Sequence, residues 1–502
     1  MRDVAALSGA ARCASAPEMR PITFAGLLGW LHQAAGAMAD TGVVLVSPLG
    51  RDERCAHMPM RILADQLAEA GFPTLRYDHL GEGDSLPLPD PEADALPALL
   101  DGIEQAVAQL RALTGVQRVV LGGVRACASL AMLRADLADG LLLLAPVLNG
   151  RSWLKRLRFS AGVLKAPQSG SEDLSIDSGD LCLNAATATS LAAVDLENAP
   201  LKRAQPIFAA AQNRLVRAWA EQLRLAGETV ALHDFPGFDA LFLDAHSNEP
   251  PLTLFDDACD WMQRAFGPTF IEAALPELPA AELRPAGASE RAVVFGEGLR
   301  GVLCRPDRID PGAPAVLFCN TGGDPRPGIG GFATTGARRL ALEGAASLRF
   351  DFAGLGDSPM SGPELRSHVY ETPRGAELAA AIDLLEQEGF REICIVGVCA
   401  GAYHALRLAP HDARIARVFA ISPVKLIWRK GDSLAFGRID DGKATQTYLQ
   451  AVRDPKTWTR LLKGGIDLGA VLRTLGLRLR GRLLGLISQA QGVSPLADMR
   501  AF

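Results

Sequence analysis

The residues best suited to chemistry are Gly397-Val398-Cys399-Ala400-Gly401, which follow an apolar run, Ile393 to Val396, and precede Ala-rich sequence of helical character. A strand turning abruptly into a helix around G-x-C-x-G is a nucleophile elbow with cysteine where serine is usual. Small flanking residues are needed because such a turn leaves little room around a strained, exposed nucleophile. The unpaired N–H groups of a helix start favour thiolate, so the position suits a reactive cysteine. Acyl transfer there also needs a histidine base, a carboxylate to orient it, and backbone donors for the oxyanion. The donors are expected from the Ala400 N–H and the Gly322-Gly323 turn. A base is harder to find. Beyond Cys399 the chain holds only His404 and His411, and His404, five positions along the helix, is displaced along its axis. His368 lies in a loop and reaches Cys399 only if that loop folds over it; a surface histidine is the plainer reading. A buried elbow cysteine without a partner is the alternative for Cys399 itself.

Elements that could position this elbow occur twice. Leu75 to Ser85, LRYDHLGEGDS, returns as Leu348 to Ser358, LRFDFAGLGDS; Gly26 to Leu31 matches Gly298 to Leu303; Gly123-Val124-Arg125 matches Gly397-Val398-Cys399. These landmarks keep their order at offsets of 272 to 274 residues, and the stretches around Pro146 and Pro423 follow. Two related domains in tandem are expected. In each, short apolar runs alternate with helical segments, the pattern of a mostly parallel sheet covered by helices. The reading divides the chain into a loose tail (1–20), a first domain (21–266, with a cap at about 147–203), a proline-rich linker (267–291) and a second domain (292–502). The second domain stops after fewer strands and ends in a cap-like segment at about 424–502. Its last strands, which would deliver acid and base, are missing: the chain is interrupted, or the site borrows a base, or it performs no hydrolysis.

Composition fits ordinary globular domains, with 48% hydrophobic and 22% charged residues among 502. A net charge of −6 gives no general nucleic-acid surface. The nine cysteines include no C-x-x-C pair, so neither a metal site nor a disulfide framework is expected, and a reducing cytoplasm is. No cofactor motif is present; GIGG at Gly328 to Gly331 lacks phosphate-loop spacing. No signal peptide or membrane span is read. From Lys425 onward fourteen basic residues face six aspartates. Arg473, Arg478, Arg480 and Arg482 lie among leucines there, which fits a pocket lid or, less well, peripheral contact with an anionic membrane.

The repeated R-[YF]-D-x-x-G-x-G-D-S segments, the two elbows and the loops SPLGRDE and NTGGDPR resemble the alpha/beta-hydrolase superfamily, twice over. The Gly-Val-Arg elbow and PGFDALFLDAHSNEPP resemble hydrolase-like proteins associated with bacterial exosortase and exopolysaccharide systems. The resemblance implies an α/β fold in both halves. Dienelactone hydrolases and polyhydroxyalkanoate synthases of the superfamily carry cysteine at the elbow, which implies a hydrolase or acyltransferase acting on a small ester, a thioester or an acylated sugar precursor. In the first half Arg125 occupies the nucleophile position, where a protonated guanidinium cannot attack a carbonyl. Gln212 or Asn213 fills the acid position, and Gly237-Phe238 stands where Gly-His is expected, with His246 following. Arg125, with Gly50, Arg51 and His246, either holds an anionic ligand or is a structural ion-pair partner. Asp78, Asp84, Asp351 and Asp357 are read as turn-setting residues. The competing reading of the whole chain is an inactive pseudoenzyme serving as a binding or scaffold protein, and oligomers are compatible with an unfinished second sheet.

Overall fold

The structure, a computed structural model, describes residues 17–33, 36–162, 175–197, 204–267, 270–273, 277–360, 369–370 and 372–428. Apolar runs rich in Val, Leu and Ile form two mixed sheets. The first contains β1 (Glu18–Phe24), β2 (Leu27–Gln33), β3 (Thr41–Val46), β4 (Thr74–Tyr77), β5 (Arg118–Val124), β6 (Gly140–Leu144), β7 (Ile207–Ala211) and β8 (Val230–Asp234), in the order β1-β2-β4-β3-β5-β6-β7-β8. The second contains β9 (Glu282–Leu283), β10 (Ala288–Phe295), β11 (Leu299–Pro306), β12 (Ala315–Cys319), β13 (Ser347–Asp351), β14 (Ile393–Val398) and β15 (Ile415–Ile421), in the order β9-β10-β11-β13-β12-β14-β15. From β10 onward this repeats the order of β1 to β6. The opening strands pair antiparallel and the rest parallel in both sheets.

Parallel strands are buried on both faces, and the alternation of side chains shows it. Val44 and Val46 of β3 pack with Ile103 and Leu110 of helix α2, while Val43 and Leu45 belong to the opposite core with Ile62, Leu63 and Leu67 of helix α1. These helices are α1 (Arg51–Glu69) and α2 (Leu96–Thr114), followed by α3 (Ala126–Leu133), which leaves the first elbow. In the second half α4 (Phe332–Leu342), α5 (Gly375–Gln387) and α6 (Ala400–Leu408) stand in the same places. Leu317 and Ile395 pack against Leu378 and Ile382 of α5, while Val316 and Phe318 pack against Ala337 and Ala341 of α4.

Some boundaries differ from the sequence reading. β1 begins at Glu18, inside the stretch read as tail, because Glu18 to Arg20 pair with Leu31 to Gln33. The proline-rich linker also contributes strands: Phe270–Ala273 pairs with Gly36–Ala39 of the first half, and β9 pairs with β10 of the second. Prolines at its other positions leave those N–H groups free for ladder bonds. β15 is the counterpart of β6 but ends its sheet among the described residues, and Phe419 and Ile421 on it are exposed. The basic C-terminal stretch, with Arg473, Arg478, Arg480 and Arg482, lies outside the described residues from 429 onward. No helix among the described residues is long and apolar enough to cross a membrane.

The halves meet through buried charge. Asp84 of the first half accepts from Arg349 Nε of β13 at 2.6 Å, and Asp357 of the second accepts from Arg76 Nη2 of β4 at 2.7 Å. The exchange is reciprocal, since the loop aspartate of each repeated segment meets the strand arginine of the other. Arg326 joins both sides: Nη1 donates to Asp351 and Asp357, each at 2.7 Å, and its plane lies over the Trp30 ring at 5.4 Å. Its Nε is 2.8 Å from Asp84 Oδ2 without hydrogen-bond alignment, a charge contact only. The flanking helices reciprocate too. Arg61 of α1 donates to Gly356 O, and Arg338 of α4 donates to the carbonyls of Asp84 and Ser85.

Asp84 and Asp357 are thus structural through ion pairs between the halves, rather than by setting their own turns. Asp78 and Asp351 set the turns, accepting from the Asp84 and Asp357 amides at 2.9 and 3.0 Å. Burial opposes charge on Asp84, but Arg326 and Arg349 outweigh it and hold the carboxyl at about 2. Burial likewise opposes charge on His57, yet Asp357 and Glu53 keep its pKa well above the ordinary value. Removing one member of a buried ionic set leaves the others uncompensated. Arg326→Met should therefore lower unfolding free energy by about 3–5 kcal/mol, measured by urea titration; a loss below about 1 kcal/mol would show the cluster to be weakly coupled.

Candidate functional site

β14 delivers Cys399 and α6 leaves it. The chain reverses within one residue, which forces Cys399 to φ 55° and ψ −110°; Arg125, between β5 and α3, has φ 59° and ψ −127°. Positive φ on a side-chain-bearing residue is costly and persists only where surrounding structure imposes it. Matching bonds impose it here: Cys399 N donates to Ile421 O and Arg125 N to Leu144 O, both at 2.9 Å. The glycines at the elbow are needed for clearance. A Cβ on Gly397 would lie 2.4 Å from the Gly401 carbonyl carbon, and one on Gly401 would lie 2.7 Å from Asn320 O.

Around Cys399 the polar neighbour is a tyrosine. The Tyr370 hydroxyl lies 3.5 Å from Cys399 Sγ, close enough for a hydrogen bond in which either can donate. Tyr370 stacks on Trp428 with centroids 4.8 Å apart at 14°, and lies against Tyr403 at 5.2 Å. It lines an open cleft of about 630 Å³ with Trp428, Tyr403, Arg407, His411 and Thr372. Burial, then the hydrogen bond to Cys399, pushes the phenol well above the usual tyrosine range. Nothing in the sequence pattern marked this residue.

Among the described residues two histidines, His404 and His411, line the same cleft, and neither hydrogen-bonds to Cys399. His404 is buried, with Nε2 2.7 Å from Val369 O and its ring edge-on to Phe352 and Tyr403. It anchors the backbone beside Tyr370, in line with the expectation that it does not serve Cys399. His411 sits on the cleft wall, and His368 lies outside the described residues. Ala400 opens α6, and Gly322 adopts φ 63° in the turn after β12. Gly323 packs against the first half: a Cβ there would approach Ala245 O to 2.4 Å and His246 Cα to 2.6 Å.

In the first half Arg125 Nε lies 3.2 Å from Asp52 Oδ2, and its guanidinium rests over Phe238 and Phe242 at 5.5 and 5.6 Å. Arg51 donates to the carbonyls of Phe242 and Leu243; Gly50, with φ 59°, precedes it. His246 pairs with Asp244 at 3.0 Å and lines a narrow cavity between the halves with Arg54, His57 and Gly323, a cavity Arg125 does not line. Thus Arg125 and Arg51 share one loop, while His246 faces the other half. Asn213 caps the helix Arg214–Leu225, accepting from Val216 N at 3.0 Å. Beneath the elbow, Leu49, Ala126, Leu130, Val147, Trp153 and Leu191 line an apolar pocket.

Solved structures similar to this chain include Est1E from Butyrivibrio proteoclasticus with ferulic acid bound, at 16% identity and TM-score 0.36 over 49% of this chain and 98% of that one. A soluble variant of monoglyceride lipase from Saccharomyces cerevisiae, in complex with a substrate analogue, is 14% identical with TM-score 0.35 over 51% and 97%. XC6422 from Xanthomonas campestris, an α/β serine hydrolase without lid, is 14% identical with TM-score 0.32 over 50% and 96%. No family model matches the chain, and no curated protein matches it significantly.

Burial lowers the His404 pKa to about 4, partly opposed by its bond to Val369. The imidazole is therefore neutral throughout the physiological range and charges only on strong acidification. In a histidine NMR titration its ring signals should stay fixed between about pH 8 and pH 6 and move only toward pH 4. A midpoint near the ordinary value of about 6.5 would contradict the buried, neutral assignment.

Proposed function

We propose that Cys399 is the nucleophile of a hydrolase or acyltransferase acting on a small ester or thioester. The observation that carries the reading is the strained elbow, whose thiol meets the Tyr370 hydroxyl beside an open cleft. A nucleophile held at positive φ between a strand end and a helix start is exposed for attack, and the amide of the next residue, Ala400, is the donor this reading assigns to the oxyanion. The Gly322-Gly323 turn supplies the second donor. An acylated sugar precursor in exopolysaccharide production is the substrate favoured by the sequence resemblance, and a cytoplasmic site of action goes with it.

The halves arose, in this reading, by tandem duplication, and the first half no longer performs the chemistry. Support comes from Arg125, which keeps the elbow's backbone strain but has its guanidinium against Asp52 and two phenylalanines. That half acts as a scaffold or, through Arg125, Gly50 and Arg51, as a binding domain for an anionic ligand.

Intact-mass spectrometry after incubation with p-nitrophenyl acetate tests the enzyme reading. One acetyl group should appear on the wild type and map to Cys399, and Cys399→Ala should lose it. Absence of the wild-type adduct, or its persistence in the variant, would favour the pseudoenzyme reading in both halves.

A further inference from the structure

Acyl transfer at Cys399 requires a proton to leave the thiol and another to reach the departing group, tasks usually given to histidine. Among the described residues two histidines line the cleft beside Tyr370, His404, held on Val369 O, and His411, and neither hydrogen-bonds to Cys399. The group that meets Sγ is the Tyr370 hydroxyl, at 3.5 Å. Its ring is fixed by the Trp428 stack and by Tyr403, so the hydroxyl has little freedom beyond rotation of its hydrogen. A phenol oxygen can accept one proton while donating its own. Tyr370 also lines the cleft, so the hydroxyl that meets Sγ belongs to a residue facing open space.

We propose that Tyr370 relays the thiol proton to the leaving group, making Cys399 and Tyr370 a catalytic pair. The proposal rests on the acyl-transfer reading of Cys399. As the Sγ–C bond forms and the bond from the acyl carbon to the leaving oxygen or sulfur breaks, the Sγ proton passes to Tyr370 Oη. The proton already on Oη passes to the leaving atom. The tyrosine ends neutral, as it began, and the products are S-acyl-Cys399 and an alcohol or thiol. Discharge to water or an alcohol acceptor runs the exchange backwards: the acceptor gives its proton to Oη as its oxygen bonds to the acyl carbon and the Sγ–C bond breaks, and the proton already on Oη passes to the departing Sγ. Burial and the Cys399 contact raise the phenol's pKa, which suits a neutral relay rather than a phenolate base.

Tyr370→Phe keeps the ring for its stack and removes only the hydroxyl. The test compares S-acetylation of Cys399 in wild type and variant, by rapid quench and mass spectrometry, with two esters. p-Nitrophenyl acetate releases a phenolate that needs no proton; 2-phenylethyl acetate releases an alkoxide that does. At about pH 9, where external base is abundant, the variant should acetylate from the aryl ester within about threefold of wild type and from the alkyl ester about 100-fold more slowly. Equal losses with both esters would show a packing role, and no loss with the alkyl ester would show no role; either result overturns the relay while leaving Cys399 as nucleophile. A wild type that acetylates from neither ester overturns the acyl-transfer reading and the relay with it.

Discussion

Two aspartate–arginine contacts, exchanged between halves of the chain, are the constraint on which the rest of this structure depends. Asp84 with Arg349 and Asp357 with Arg76 are fully or almost fully buried, and Arg326 lies between them against Trp30. Separating the halves would leave charges that now neutralise one another facing an apolar environment or demanding water. Their value lies in geometric specificity: each carboxylate has defined donors, so the relative placement of the two sheets is set to within hydrogen-bond tolerance. That placement reaches the candidate site. The Gly322-Gly323 turn, offered as half of the oxyanion hole, is pressed against Ala245 and His246 of the first half.

The two elbows show what backbone and side chain each contribute. Both turn through the same positive-φ conformation and are tied to the following strand by the same amide bond. Arg125 is then closed in by Asp52, Phe238 and Phe242, and a cation that stays protonated has no nucleophilic use there. Cys399 meets the hydroxyl of Tyr370, a residue that lines an open cleft. A conserved-looking backbone thus carries opposite chemistry in its two appearances, which is why the fold alone does not decide the activity.

Much of this was legible in the sequence. Apolar runs in the sequence begin at Arg118, Gly140 and Ala315, where strands start, and at Val43 and Glu392, two and one residues from strand starts, and G-x-C-x-G identifies the elbow without help. The repeated segments were visible, but the partners of their aspartates were not. Asp84 and Asp357 sit in turn-forming sequence where a local role is the natural inference, and no spacing rule connects them to arginines more than 260 residues away. Tyr370 gave no signal either, being one aromatic in a loop whose importance comes from the stack with Trp428 and the approach to Sγ. The region read as linker misled for a related reason: prolines and weak periodicity hid short strands whose pairing partners lie in both halves.

If the exchanged charges make the halves one cooperative unit, both must unfold together. Pulsed thiol labelling of the intact chain across a urea series follows this directly, through the buried Cys127 of the first half and the buried Cys304 of the second. A single shared midpoint for the two thiols is predicted. Two separated midpoints, with one half labelling while the other stays protected, would contradict the claim that buried charge joins them.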